Sequence, residues 1–190
     1  MANFPNLLKD ESTRAKVIAL QETWCQEGQE TDSLQLPGYK LHLVSQGRGK
    51  GVAMFFQDGF DVTGEVNKRE YQICRVSCKN YDVVNVYRSQ NADQSNFIKD
   101  LGTLARGSKP CFILGDFNID LLKNPNDRLS EKISSCGFRQ IVKNATHDLG
   151  GLLDHVYIKR IPWEPEVTIN FPFYSDHAIV KLSKPETLTA

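Results

Sequence analysis

Four acidic side chains stand where apolar runs end or begin: Glu22 in VIALQETW, Asp116 in FILGDFN, Asp154 in GGLLDHVYI and Asp176 in FYSDHAIV. A lone carboxylate beside a strand is ordinarily a solvated or turn-capping group, because connecting segments run over the surface. These four are accompanied by Asn118 two positions after Asp116, by Tyr87 closing YDVVNVY, and by His155 and His177, each directly after an aspartate. Hard divalent cations need oxygen ligands, and a cation held near a base activates water. The set therefore has the chemistry of a metal-assisted hydrolase. Asp116 and Asn118, two residues apart on an extended segment, share one face and could both address a phosphate. A His beside an Asp is a standard way to hold an imidazole in orientation. Tyr87 also reads as an aromatic that closes a strand with its ring buried. His155 alternates away from Asp154 and reads as structural.

Positioning these groups requires strands that end at a common place. VIAL at 17–20 reads as a buried strand, preceded by a short surface helix over Asn6 to Lys16. YKLHLVS, GVAMFF, EYQICRVSC and YDVVNVY between 39 and 87 are rich in β-branched and aromatic residues, and Lys79 with Asn80 links the last two. This is a largely antiparallel meander. Phe97, Leu101 and Leu104 at helical spacing predict a helix over about Asp93 to Arg106, stopped at Gly107. CFILGDF follows as a fully buried strand; a second helix is predicted over about Asn126 to Cys136, ending at Gly137, and LLDHVYIK and AIVKLS close the chain as strands. Two strand groups with helices to cover them suggest an α+β sandwich. A doubly wound parallel sheet fits poorly, since the meander leaves no room for crossover helices.

The 190 residues suit one domain with one sizeable core. Hydrophobic residues at 40% and charged residues at 24% are ordinary globular values, which excludes disordered and fibrous classes. Lys plus Arg equals Asp plus Glu at 23 each, so no global basic field marks a polyanionic partner. A neutral protein can still carry one basic face, and short clusters occur in QGRGKG, NKRE and RAK. The five cysteines are scattered without CxxC pairs, which signals neither a disulfide framework nor structural zinc. No window has bilayer length and no signal-peptide order opens the chain, so an intracellular protein without a membrane partner is expected.

Taken in order, LQET, NVY, GDFN, LDHVYI and SDH resemble the endonuclease/exonuclease/phosphatase superfamily from about Val17 to Leu182. Within it, VYRSQNADQSNFIKDL, GDFNIDLL and YSDHAIV look most like transposable-element endonuclease domains, of non-LTR retrotransposons or attached to transposon helicases. The resemblance implies a four-layered α/β sandwich, two mainly antiparallel sheets face to face with helices outside, and a site at one edge of the sheets. It implies Mg²⁺, with Mn²⁺ as a substitute, DNA as substrate and the nucleus as location. On that pattern Glu22 binds the metal with Asp176, Asp116 orients or deprotonates the attacking water, and Asn118 holds the scissile phosphate. His177 stabilises developing charge or acts as base, Asp176 fixes its tautomer, and Tyr87 and Asp154 complete the site. Thr146 and His147 in ATHDLGG resemble a loop beside that site.

Members of the superfamily usually open with an asparagine-bearing strand and a helix before LQET. Only sixteen residues precede Val17, and the expected helix uses most of them. The first strand is therefore expected to be missing and the metal site weakened. Two functions follow: a Mg²⁺-dependent endonuclease that nicks DNA, or a catalytically weakened nucleic-acid or protein binding module of the same fold. A phosphatase of the same superfamily is a further alternative.

Overall fold

The computed structural model describes residues 15–25, 35–47 and 49–186. Strands β1 (Val17–Gln21), β2 (Lys40–Val44) and β3 (Val52–Phe56) form an antiparallel sheet in the order β1-β3-β2. The main sheet comprises β4 (Asp61–Asn67), β5 (Tyr71–Ser77), β6 (Asp82–Arg88), β7 (Cys111–Asp116), β8 (Arg139–Gln140) and β9 (Asp154–Lys159) in the order β4-β5-β6-β7-β9-β8. A two-stranded ribbon of β10 (Glu166–Asn170) and β11 (Ile179–Ser183) completes the strands. Two helices, α1 (Gln94–Leu104) and α2 (Arg128–Ser135), cover the main sheet.

Parallel pairing occurs between β6 and β7, the two strands that α1 connects, and the other described ladders are antiparallel. The doubly wound alternative is thereby excluded. Because β6 is buried along its whole length, its two faces serve two cores. Val84 and Val86 meet Ile113, Tyr157, Phe97, Leu101, Leu129 and Ile133 on the helical side. Val83 and Tyr87 meet Phe112, Val156 and Met54 on the other, where Val167, Ile169, Val180 and Leu182 of the ribbon also pack. The described residues thus build three layers: helices, the main sheet, and the two smaller sheets side by side. The helix expected over Asn6 to Lys16, which would supply a fourth, lies outside the described residues up to position 14, as does the question of a strand before it; Ala15 and Lys16 are not helical.

Helix α1 starts at its cap, where the Asp93 carboxylate accepts from the Asn96 N–H at 2.8 Å. It ends two residues before the expected last helical residue, Arg106: the Ala105 N–H closes the last turn onto the Leu101 carbonyl, and Gly107 lies beyond. Asp127 caps α2 in the same way, and Gly137, at φ 85°, supplies the left-handed residue that turns the chain into β8. The sequence reading misses β4, β8 and β10. The first two are edge strands, and β4 and β10 expose alternate side chains.

The layers are tied by polar groups as well as by apolar contact. Asn85, fully buried on β6, donates to the Leu20 and Ala53 carbonyls at 3.0 Å each and accepts from Gln21 Nε2 at 2.6 Å. Gln72 on β5 accepts from the Gly51 N–H at 2.9 Å. These bonds fix the end of β1 against the main sheet.

Candidate active site

Strand register assembles the centre of the site. Tyr87 on β6 lies opposite Asp116 on β7, and Asp116 lies opposite Asp154 on β9. Residues opposite one another share a face, so three polar side chains from three neighbouring strands form one row at the end of the main sheet. The row faces the smaller sheets. Glu22 follows β1 immediately, and His177 precedes β11 by two residues, so each of the three sheets contributes.

Asp116 stands in the middle. It is 3% exposed, and both its oxygens are occupied by Asn118: the backbone N–H at 2.8 Å and the side-chain amide at 3.1 Å. Burial, then the nearby charge of Asp154, pushes its carboxyl up to about 7, while His177 and the Asn118 N–H oppose that rise. Glu22 acts on it in the same upward direction. A carboxylate poised near neutrality is suited to accept a proton.

His177 is the positive counterpart. Its Nδ1 lies 2.9 Å from Asp154 Oδ2, and the hydrogen bond to Asp154 raises the imidazole to about 9 against the opposing effect of burial. The carboxylate on this nitrogen is that of Asp154, where the sequence reading expects that of Asp176. Asp176 lies in a bend beside His177, its Oδ2 3.6 Å from His147 Nε2. Thr146 in turn holds Asp154: its hydroxyl oxygen accepts the Leu153 and Asp154 N–H groups at 3.1 and 3.0 Å.

Tyr87 keeps its proton, because burial first, and then the charge and hydrogen bond of Glu22, raise its phenol well above the ordinary range. It is therefore a donor directed at the Glu22 side of the site. Glu22 itself is exposed and sits at φ 49°, a left-handed conformation that turns the chain sharply out of β1. An exposed carboxylate beside a phenol, with a second carboxylate near, offers hard oxygen donors of the type Mg²⁺ takes while it keeps several waters.

Asn118 also adopts a left-handed conformation, φ 51°, and its amide nitrogen donates to the Arg88 carbonyl at 2.9 Å as well as to Asp116. Both side-chain N–H groups are thus engaged within the protein. A phosphate would have to take the one now given to Asp116. Three residues support the site: the sequence reading takes His155 as structural and places Thr146 in a loop beside the site, and it misses Arg88. Arg88, 3% exposed, donates to the Phe117 and Ala92 carbonyls and so fixes the segment around Asn118. His155, stacked on Phe117 at 4.8 Å between ring centroids, has Nε2 2.8 Å from the Ile119 carbonyl, and burial lowers it to about 4. Thr146 is the third. Arginine is rarely buried, so nothing in the order VYR marks Arg88.

The sequence matches the Endonuclease/Exonuclease/phosphatase family over residues 1–177. A comparison with curated proteins found no match. Among solved structures, the fold is similar to a variant of the 3' phosphatase NExo from Neisseria bound to product DNA hairpin, with TM-score 0.72, 16% identity, and 95% of this chain and 92% of that one covered. The endonuclease domain of TRAS1, a telomere-specific non-LTR retrotransposon, gives TM-score 0.70 at 14% identity over 94% and 89%. An AP endonuclease from Archaeoglobus fulgidus gives 0.70 at 14% identity over 96% and 92%. With a fold of that kind and a sequence match spanning most of its length, the chain belongs to the endonuclease/exonuclease/phosphatase family.

Proposed function

We propose that the protein hydrolyses phosphodiester bonds with a divalent cation, Mg²⁺ or Mn²⁺, and nicks DNA in the manner of a transposable-element endonuclease. The observation that carries this reading is Asp116: one buried carboxyl influenced by Glu22, Asp154, Asn118 and His177, each from a different segment. A phosphodiester is already anionic, so its hydrolysis needs a base for water and positive charge where negative charge accumulates. Asp116 supplies the base. His177, held protonated by Asp154, supplies a charged donor, and Tyr87 a neutral one.

Glu22 is the residue that would hold the cation, whose chemistry would be to neutralise phosphate charge and lower the pKa of a bound water. The exchange of the Asn118 amide from Asp116 to phosphate would free an Asp116 oxygen for the attacking water. DNA is favoured over a small phosphoester by the exposed apolar groups near His177. Phe173 is 90% and Phe171 50% exposed, four and six residues before it, and Leu149 is 86% exposed two residues after His147. Exposed aromatic rings beside a phosphate site are platforms for bases.

The test is incubation of the purified protein with supercoiled plasmid and Mg²⁺, against Asp116→Ala and His177→Ala. Nicking by the wild type, reduced about 1,000-fold or more in both variants, is expected from the loss of a base or a charge-stabilising donor. Plasmid retention without nicking would favour the binding-module alternative. Release of phosphate from 3'-phosphorylated oligonucleotides without nicking would favour the phosphatase.

A further inference from the structure

Beside the proposed hydrolytic centre lies a second group of ligating side chains. His147 and His177 face each other across an antiparallel bridge, their rings edge to face with centroids 4.9 Å apart. Backbone bonds close the two segments on both sides of the rings, from the Ala178 N–H to the Thr146 carbonyl at 2.7 Å and from the Asp148 N–H to the Asp176 carbonyl at 2.9 Å. The two segments that carry the rings are therefore held together by main chain. Asp176 completes the group, and one ligand atom each from His147, Asp176 and His177 lies within 4.8 Å of the others.

The free ring nitrogens are the suitable ones. His177 commits Nδ1 to Asp154 at 2.9 Å, so Nε2, with a carboxylate behind the ring, is the nitrogen a metal would take in exchange for its proton. His147 Nδ1 accepts the Leu149 N–H at 3.1 Å and lies 3.0 Å from Asp148 Oδ1, so Nε2 is the nitrogen left to face the group, and it offers a lone pair when the ring proton sits on Nδ1 toward Asp148. Tetrahedral coordination with bonds of about 2.0–2.1 Å places ligand atoms roughly 3.4 Å apart. Asp176 is already 3.6 Å from His147 Nε2, and its side chain, 66% exposed, is free to reorient. Two imidazoles with one carboxylate form a donor set that suits zinc and its neighbours rather than Mg²⁺.

We propose that His147 joins His177 and Asp176 in a transition-metal site, which takes Asp176 from the place beside Glu22 that the family resemblance implied, and that Zn²⁺ bound there switches the enzyme off by occupying the His177 imidazole. The switching half rests on the role given to His177 under the proposed function; the binding half stands without it.

The experiment keeps the two apart. Zn²⁺ is titrated into the purified protein by calorimetry, and Co²⁺ by its visible d–d absorption, with no nucleic acid present. One equivalent is expected to bind, and His147→Phe and Asp176→Asn should each weaken it by more than the roughly 10–100-fold that loss of an outer-shell partner costs. Glu22→Gln should leave it unchanged, and thermal melts of each variant report folding. Absence of stoichiometric binding, or binding indifferent to both substitutions, overturns the site. In the second arm Zn²⁺ is added to Mg²⁺-supported nicking. Inhibition of the wild type with resistance in His147→Phe supports the switch. Zn²⁺ binding in the first arm with nicking unaffected overturns the switch alone, and a protein that never nicks refutes the functional reading while the first arm still decides the site.

Discussion

At the scale of single residues, the proposed chemistry turns on two groups whose proton affinities are both raised, for opposite reasons. Asp116 is raised to about 7 because burial and Asp154 disfavour its charged form. His177 is raised to about 9 because Asp154 favours its charged form. If Asp116 is the base, activity of the free enzyme rises as pH passes 7; if imidazolium is the donor, activity falls as pH passes 9. A bell between those limits is expected in kcat/KM, with a cation at Glu22 moving the acid limb lower by favouring the Asp116 carboxylate. In Asp154→Asn the main cause of the His177 shift is gone, so the alkaline limb should move toward the ordinary histidine value of 6.5 and kcat/KM should fall about 100- to 10,000-fold. An alkaline limb that stays near 9 in this variant would refute the assignment. Linkage gives a companion sign: the Asp116 contribution to stability is lost as pH rises from 3.8 through 7, and that of His177 from 6.5 through 9, so the metal-free protein should melt lower at pH 9 than at pH 5. The residue types were legible in the sequence because LQET, NVY, GDFN, LDHVYI and SDH each carry one or more of them. The partner of His177 was not, since chain adjacency points to Asp176 while the register of β9 and the bridge at His147 bring in Asp154 from 23 residues away.

At the scale of elements, β7 shows why the GDFN segment has the composition it has. Gly115 adopts φ 137°, and a Cβ there would lie 1.9 Å from the Val86 carbonyl oxygen of the neighbouring strand. No side chain could move to relieve that contact, because the obstacle is backbone. Gly115→Ala must therefore displace β7 from β6 at the row that holds Tyr87 and Asp116. A loss of about 3 kcal/mol or more is expected from the strained conformation and the contact together, which corresponds to a fall of roughly 6–12 °C in Tm for a chain of this size. Thermal denaturation of the variant checks it, and a Tm within about 2 °C of wild type would show that the ladder tolerates the change. Elements with strong periodicity were readable: β3, β6 and β7 as apolar runs, and α1 and α2 from their caps and spacing. Strand β4 was not, because Asp61–Asn67 carries glycine and charges and exposes most of its residues at a sheet edge. Strand β10 has alternating Val167 and Ile169, yet five residues flanked by prolines leave too short a pattern to separate from a loop.

At the scale of the whole molecule, the two halves of the site belong to different layers, and the fold must hold them in register. Glu22 directly follows a strand of the three-stranded sheet; Tyr87, Asp116 and Asp154 lie at the ends of strands of the main sheet. The α+β class and the packed sheets could be anticipated from the strand groups, but the link between layers could not, since asparagine in an apolar run has no sequence signature of its partner. That link is Asn85, two residues before Tyr87 on the same face, bonded to Leu20, Gln21 and Ala53. Asn85→Leu keeps the branched shape, though not the smaller volume, while removing three hydrogen bonds and leaving Gln21 without its partner. Net values of about 1 kcal/mol for each bond suggest a loss of roughly 2–4 kcal/mol. The effect on activity should be selective, because the strand loosened is the one that carries Glu22 while the Asp116 row stays paired on both sides. The Mg²⁺ concentration needed for half-maximal nicking should rise several-fold, with the KM for DNA little changed. Titrating Mg²⁺ at fixed DNA, and DNA at saturating Mg²⁺, separates these. Equal weakening of both would mean that Asn85 supports the core in general rather than the junction at which the cation is held.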